Sequence, residues 1–295
     1  MSTRPSSSQP LPKTEPTSIA GQMTEARQRL ALAGIESAGL EARLLVGHLL
    51  CMDSASVIAH GDRALSVEQA AAIRNLVAQR AAGRPIAYLL GQREFWSLPL
   101  RVDERCLIPR PETELLVERA LERLPAQRAR AIDLGTGSGA IILALVTERP
   151  QLEAWGSDAS ADALAVAADN ARRLDLSVHW FRGRWLEAVA PRPLFDIIVS
   201  NPPYVDPSDP HLQHGDLRFE PRTALVAGDG GLADLATIAG QARARLYPGG
   251  WLLLEHGYDQ GCAVRTLLTQ HGYLKVASHR DPAGHERVTE GNCPG

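Results

Sequence analysis

Asp133, Gly135, Gly137 and Gly139 fall in the run Asp133-Leu134-Gly135-Thr136-Gly137-Ser138-Gly139, between one apolar stretch and another. Glycines at this spacing let a backbone turn sharply from a strand into a helix and come close to a ligand. Asp158 follows 19 residues after Gly139, at the end of the next predicted strand. A carboxylate there can accept both hydroxyls of a ribose. A dinucleotide site would read G-x-G-x-x-G and seat a pyrophosphate on the helix N-terminus. The spacing here is G-x-G-x-G, and Asp133 would repel a pyrophosphate. S-adenosylmethionine has no phosphate and carries an ammonium and a sulfonium, so it suits these residues better. A glycine-rich turn with a capping aspartate is the plainer alternative.

The second motif is Asn201-Pro202-Pro203-Tyr204, directly after the predicted strand Phe195–Ser200. In a doubly wound sheet the carboxyl ends of neighbouring strands meet at the ligand crevice, which brings Asp133 and Asn201 to one edge. The Asn201 carboxamide oxygen and the Pro202 carbonyl can both accept hydrogen bonds from an –NH2 group, and Tyr204 can stack on a planar one. Together they suit methylation of a planar amide or an exocyclic amine. Read alone, the same four residues are also consistent with a proline-rich turn capped by asparagine.

The elements that must position these residues are legible from periodicity. Candidate strands are Ala129–Leu134, Ala154–Asp158, Ser177–Phe181, Phe195–Ser200 and Trp251–His256, with helical stretches such as Ala140–Thr147 and Ala161–Leu174 between them. Such alternation predicts an α/β fold, a parallel sheet with helices on both faces. Residues 205–230 are polar and proline-containing and read as an elaborated loop over the site. Upstream, residues 19–84 read as short amphipathic helices. Leu40, Leu44, Leu45 and Leu49 make one apolar stripe, and Ser66 with Gln69 forms a capping-box start to a helix ended by Gly83. With His48 and His60 but no ligand cluster, this region is expected to dock or pack. Residues 85–110 read as a linker, with a hairpin around Glu94–Val102, and residues 111–295 as the catalytic domain, whose first helix opens on Pro111.

Composition sets the outer limits. The chain has 295 residues, 44% hydrophobic and 22% charged, with 31 basic against 34 acidic residues and a net charge of -3. It is too apolar to be disordered and lacks the basic excess of a nucleic-acid coat. No apolar run reaches the roughly 18 residues of a membrane span. Cys51, Cys106, Cys262 and Cys293 are too scattered for a metal or redox pair, so reduced thiols in a cytoplasmic protein are expected. Residues 1–18 hold twelve Ser, Thr or Pro and one Leu, and are expected to form a disordered tail.

Joined in one chain, the D-x-G-x-G-x-G and N-P-P-Y motifs resemble those of class I methyltransferases acting on planar nitrogens. Glu94-Phe95-Trp96, Leu107-Ile-Pro-Arg-Pro-Glu-Thr-Glu114, Arg218-Phe-Glu-Pro221 and Glu255-His-Gly257 narrow the match. Over residues 19–288 the sequence resembles the bacterial peptide chain release factor glutamine methyltransferases. The resemblance implies a doubly wound, mostly parallel seven-stranded sheet with a C-terminal antiparallel hairpin and a small helical N-terminal domain. It also implies methyl transfer from S-adenosylmethionine to the side-chain amide nitrogen of glutamine in the Gly-Gly-Gln motif of release factors, without a metal. Asp133 and the stretch Gly135, Thr136, Gly137, Ser138 and Gly139 would line the cofactor, Asp158 would hold its ribose, Trp185 would lie beside the adenine and Asn201 would lie between cofactor and substrate. Asn201, Pro202, Pro203 and Tyr204 would grip the glutamine. Arg184 and Leu186 depart from the pattern, which usually has an acid and often an aromatic at these places.

The remaining polar residues carry weaker readings. Arg110, Glu112 and Glu114 tie the linker to the catalytic domain or open a helix. Glu220 orders the long loop or contacts substrate. Asp281 and Arg287 pair in the hairpin as a solvated pair. His256 reads as a packing residue more readily than as a base. The competing functions are glutamine methylation of a ribosomal protein, methylation of an exocyclic amine in DNA or RNA, and a non-enzymatic cofactor-fold scaffold. The N-terminal and linker match favours release factors, and the missing basic bias disfavours nucleic acid. The expected partners are therefore release factors, with the chain itself a monomer.

Overall fold

The computed structural model describes residues 18–295 apart from Pro193 and His214. The expected tail, residues 1–18, lies outside the described residues except for Ser18. Backbone contacts divide the chain into two compact units, with the boundary between Leu90 and Gly91.

The first unit is helical: α1 (Ile19–Leu32), α2 (Ala38–Leu50), α3 (Ser54–Ala59), α4 (Val67–Ala81) and α5 (Ile86–Leu90). Ser18 caps α1 by accepting from the Gly21 N–H, and Ser66 with Gln69 closes the capping box on α4. Each such cap satisfies backbone donors that a helix start leaves bare, worth about 1 kcal/mol. The buried face of α2 differs from the expected leucine stripe. Leu40 is 51% exposed, whereas Ala42, Leu45 and Val46 are fully buried. The leucines span a helix face too wide to bury whole, and small Ala38 and Ala42 share a core with Ile19, Ala26 and Leu30 of α1.

The second unit opens on the hairpin β1 (Gln92–Phe95) and β2 (Leu98–Arg101), whose turn places Trp96 and Ser97 at positive φ. The stretch expected to be a linker is thus divided, with α5 in the first unit and the hairpin in the second. Phe95 and Leu100 are buried in one core with α6 (Glu114–Arg123) and α7 (Ala140–Glu148). There follow β3 (Arg130–Leu134), β4 (Glu153–Asp158), α8 (Ala161–Arg173), β5 (His179–Arg182) and β6 (Phe195–Ser200). The long connection after β6 contains, among its described residues, three 3-10 turns and a short helix, α9 (Arg222–Leu225), rather than plain loop. The chain ends with α10 (Ala233–Ala242), β7 (Leu246–Glu255), α11 (Gly261–Gln270), β8 (Leu274–Arg280) and β9 (Glu286–Asn292).

The sheet runs β5-β4-β3-β6-β7-β9-β8, with β3 to β7 parallel and β9 antiparallel to both its neighbours. β7 starts five residues before the expected Trp251, because its pairing with β6 shifts register between Phe195 and Ile197 before regular pairing resumes at Trp251. One face buries α7 against β3, and the other buries α10 and α11 against Ile132, Ile198 and Leu252. This is a doubly wound sheet, and β3 lies beside both β4 and β6. The strand order reverses there, so the carboxyl ends of β3, β4 and β6 border one crevice.

Candidate active site

The three motif glycines all adopt positive φ: 70° at Gly135, 56° at Gly137 and 85° at Gly139. A side chain would strain every one of these turns, which is why glycine alternates here. A Cβ on Gly135 would also lie 3.2 Å from the Trp185 ring, so the indole is seated on the bare backbone of that residue. Asp158, at the end of β4, accepts from the N–H of Gly137 at 3.0 Å and from that of Ser160 at 2.9 Å. Its carboxylate therefore braces the loop, and the remaining lone pairs are left for a ligand.

Thr136 and Ser138 are buried and work inside the loop. Thr136 donates to Asp133 at 2.6 Å, and the Ser138 carbonyl accepts from the Asn170 amide at 2.9 Å. Asp133 is fully buried, with Oδ1 lacking a hydrogen-bond partner; burial pushes its carboxyl up to about 7 against the pull of Thr136. An acid kept this dry is poised to take up a cation's charge or its own proton.

The glycine loop and Asp158 open onto a cavity of about 470 Å³. Of the residues named from sequence, Gly135, Gly137, Asp158, Trp185, Asn201 and Pro203 line it. Asp133, Thr136, Ser138, Gly139, Pro202 and Tyr204 lie behind the wall instead. Gly139 there begins α7, where a Cβ would press on Leu143 and Ala167. Asn201 follows β6, and its Nδ2 donates to Thr113 Oγ1 at 3.2 Å. Its Oδ1 has no partner among the described residues and is the acceptor the carboxamide has to offer. Tyr204 does not present its ring to the cavity. The ring packs against the core that holds Leu235 and Leu254, and its hydroxyl donates to Glu255 Oε1 at 3.3 Å. Burial, followed by the Glu255 charge, raises the phenol above its ordinary range, so it stays protonated.

Some residues in the wall and behind it, Asp234, Gln260 and Gly231 among them, carried no sequence signal of their own. Asp234, at the start of α10, accepts from Trp185 Nε1 at 3.1 Å and pairs with Arg184. The acid usual beside that aromatic is thus replaced by an arginine whose charge is answered from another element. Gln260 holds the Tyr204 carbonyl at 3.1 Å, and Gly231 is packed so tightly that a Cβ would lie 2.1 Å from that oxygen. Glu220 is buried, accepts from the Ile108 N–H and pairs with Arg110, which fastens the long connection to the segment before α6. Glu114 instead accepts from the Trp96 N–H at 2.9 Å.

The other polar candidates are structural. His256 is buried, bonded to Thr289 Oγ1 at 2.7 Å and to the Gly257 carbonyl, and desolvation lowers its pKa. Asp281 pairs with Arg287 at 3.2 Å, but its side chain is 1% exposed, so the pair is not the solvated one expected. Cys106 lines the cavity, yet burial pushes its thiol up to about 11, leaving little thiolate for nucleophilic work. Among the described residues no group of three or more His, Cys, Asp and Glu is arranged to hold a metal ion, and no helix is long and apolar enough to cross a membrane.

The lining tests the choice of cofactor. Its acids are Glu104, Asp158, Asp162 and Asp234; its bases are Arg105 and Arg184, each paired with an aspartate. Among the described residues no free cluster of cations in this wall awaits a phosphate. An acidic wall, an indole and a glycine cradle suit a nucleoside that carries positive charge.

The sheet order and the crevice at its reversal define a class I methyltransferase. Among solved structures, a methyltransferase from Pyrococcus furiosus has the same fold with a TM-score of 0.52 at 17% identity, covering 75% of this chain and 98% of that one. The PrmC N-terminal domain family matches residues 23–91, and the methyltransferase small domain family matches residues 111–220. A release factor glutamine methyltransferase from Vibrio cholerae is 46% identical over 274 residues, 92% of this chain and 96% of that protein. Another, from Xylella fastidiosa, is 52% identical over 263 residues, 88% and 94% of the two chains. The chain belongs to the release factor glutamine methyltransferase family.

Proposed function

We propose that this enzyme transfers a methyl group from S-adenosylmethionine to the side-chain amide nitrogen of the glutamine in the Gly-Gly-Gln motif of peptide chain release factors, acting in the cytoplasm. The observation that carries the reading is the Asn201 carboxamide. It is anchored through Nδ2 on Thr113, offers Oδ1 as an acceptor, and shares one cavity with the glycine loop and Asp158. Identity with release factor glutamine methyltransferases along nearly their whole length supports this substrate over a ribosomal protein or a nucleobase.

When bound, S-adenosylmethionine supplies a methyl group made electrophilic by its sulfonium. Gly135 and Gly137 would let the backbone approach it, Asp158 would accept from its ribose hydroxyls, and the Trp185 indole, held by Asp234, would flank its adenine. An amide nitrogen is a poor nucleophile because its lone pair is delocalised into the carbonyl. Asn201 Oδ1 and the Pro202 carbonyl oxygen, each accepting one amide N–H, orient that nitrogen and raise its electron density. As the amide nitrogen takes the methyl group, the methyl–sulfur bond would break with its electron pair going to sulfur, leaving S-adenosylhomocysteine as product. The N-methylated amide first formed is strongly acidic and loses its extra proton to water, so the chain needs no strong base. Catalysis is then mainly positioning and electrostatics.

Asn201→Ala is expected to bind cofactor nearly as well as the parent and to slow transfer by about 10²–10³-fold, the cost of a lost preorganised polar contact. Calorimetry and single-turnover labelling read the two effects separately, and near-normal turnover removes Asn201 from this role. The substrate is decided by incubating the enzyme with methyl-labelled cofactor and, in turn, a release factor, a ribosomal protein and nucleic acid. Label is expected on the release factor and absent when its Gly-Gly-Gln glutamine is changed to alanine. Label on nucleic acid alone overturns the proposal.

A further inference from the structure

Glu220 lies in the long connection after β6, and its carboxylate is fully covered. Among the described residues, two groups from one short segment hold it. Oε2 accepts from the Ile108 N–H at 3.1 Å, and Oε1 accepts from the Arg110 guanidinium. The same segment runs on to Thr113, whose N–H donates to the Arg110 carbonyl at 3.1 Å. Thr113 is 4% exposed, and its Oγ1 accepts from Asn201 Nδ2 at 3.2 Å. Hydrogen bonds along this segment thus lead from Glu220 to the carboxamide that lines the cavity.

The segment is stiff. Pro109 and Pro111 each fix φ within it. Arg110, between them, is extended at φ -100° and ψ 143°, and the 3-10 turn Pro111–Thr113 follows directly. Pinned at Ile108 and Arg110, such a backbone has little freedom left in where it sets Thr113. The same carboxylate also stands where two stretches of the cavity wall are joined. Residues 104–107 precede Ile108, and Pro221, Thr223 and Ala224 follow Glu220. Burying an acid is costly, and a neutral amide would serve the Ile108 N–H equally well. The negative charge is what answers Arg110, in a charge-assisted bond about twice as strong as a neutral one.

We infer that Glu220 is a positioning residue for methyl transfer: by clasping Ile108 and Arg110 it fixes Thr113, and through Thr113 the Asn201 carboxamide. This rests on the proposed role of Asn201 as acceptor for the substrate amide. Glu220 lies outside the cavity wall, so its influence on the reaction passes through these neighbours. A working acceptor must be held within about 0.5 Å of its place, and a displacement of about 1 Å costs about 10²-fold in rate. Loss of the clasp frees the segment before α6, and Asn201 then follows Thr113 over a range of positions instead of one.

The test is a double-mutant cycle on the full chain: parent, Glu220→Gln, Asn201→Ala and the pair. Each is compared for kcat on release factor and for cofactor affinity by calorimetry, which also counts the folded fraction. Glu220→Gln keeps the size and removes the charge. It is expected to lower kcat per folded enzyme about tenfold with Asn201 present, with cofactor affinity within about twofold of the parent. Where Asn201 is already alanine, the same change is expected to lower kcat less than about twofold, because the group it positions is gone. A merely structural role would lower kcat equally in both backgrounds, and that result overturns the inference. Arg110→Met, taken through the same cycle, is expected to repeat the pattern and decides the matter if Glu220→Gln does not fold. Parental kcat in either variant overturns the inference as well. An Asn201→Ala enzyme with parental kcat overturns the reading of Asn201 and this inference with it, whereas a slow Asn201→Ala enzyme with an additive cycle overturns the inference alone.

Discussion

Asp133 and Glu255 are both carboxyls held dry, each pushed up to about 7 chiefly by burial. For Asp133 the consequence for stability has a definite sign. The folded chain keeps its proton to about pH 7, whereas the unfolded chain loses it near 3.8. Between those values folding takes up protons, so stability falls as pH rises through the window, and the penalty is complete above it. Asp133→Asn removes that penalty while keeping an acceptor for Thr136. Its melting temperature relative to the parent is expected to climb from about pH 4 to about pH 8, read by calorimetry without ligand. Parallel curves for the two proteins would mean that burial of this carboxylate does not set the pH dependence. The same residue scale explains the loop: Gly135, Gly137 and Gly139 are visible in sequence because glycine alone adopts those angles cheaply, and they stand at positive φ.

At the scale of elements, charge adds to the hydrophobic contact that fastens α6 to the sheet. Glu290, on β9, is 1% exposed and faces Arg119 and Arg123 of α6, with His279 of β8 at 3.1 Å. The Arg123 guanidinium also lies over the Trp251 ring, 4.2 Å from its centre. Arg119→Ala with Arg123→Ala would leave that carboxylate buried beside the histidine alone. Removing the cationic partners of a buried charge costs about 3 kcal/mol, so denaturant unfolding is expected to shift by that amount with little change in cofactor affinity. An unshifted midpoint would show that the carboxylate is reached by water after all. Periodicity revealed most helices and strands, and the capping box on α4 stands where Ser66 and Gln69 implied. It misjudged α2, because an apolar stripe says which side chains prefer burial but not which face finds a partner.

At the scale of the whole chain, the division at Leu90 and Gly91 gives each unit its own hydrophobic core. The glycine loop, Asp158, Trp185 and Asn201 all belong to the second unit. A chain starting at Gly91 is therefore expected to fold and to bind cofactor with near-parental affinity. If the helical unit docks the substrate, that fragment will methylate a short Gly-Gly-Gln peptide about as well as the full chain does, and an intact release factor far less well. Comparing the two substrates by label transfer checks this, and equal efficiency on both removes the docking role.

The sequence by itself determined the strand–helix alternation, the glycine turns, the acid at the end of β4 and the asparagine after β6. Each of these is written in a local pattern: a period, a forbidden backbone angle, or a residue type at a strand end. Only the tertiary structure decided which neighbours complete them. Asp234 under Trp185, Gln260, Gly231 and Glu255 behind Tyr204, Glu220 beneath Ile108, and Thr113 behind Asn201 come from distant stretches of chain. Their spacing in sequence is arbitrary, because a hydrogen bond depends on distance in space, and the sheet order sets that distance. The Tyr204 ring makes the same point: its residue type suits stacking on a substrate, and the packing of β7 and α10 turned it inward instead.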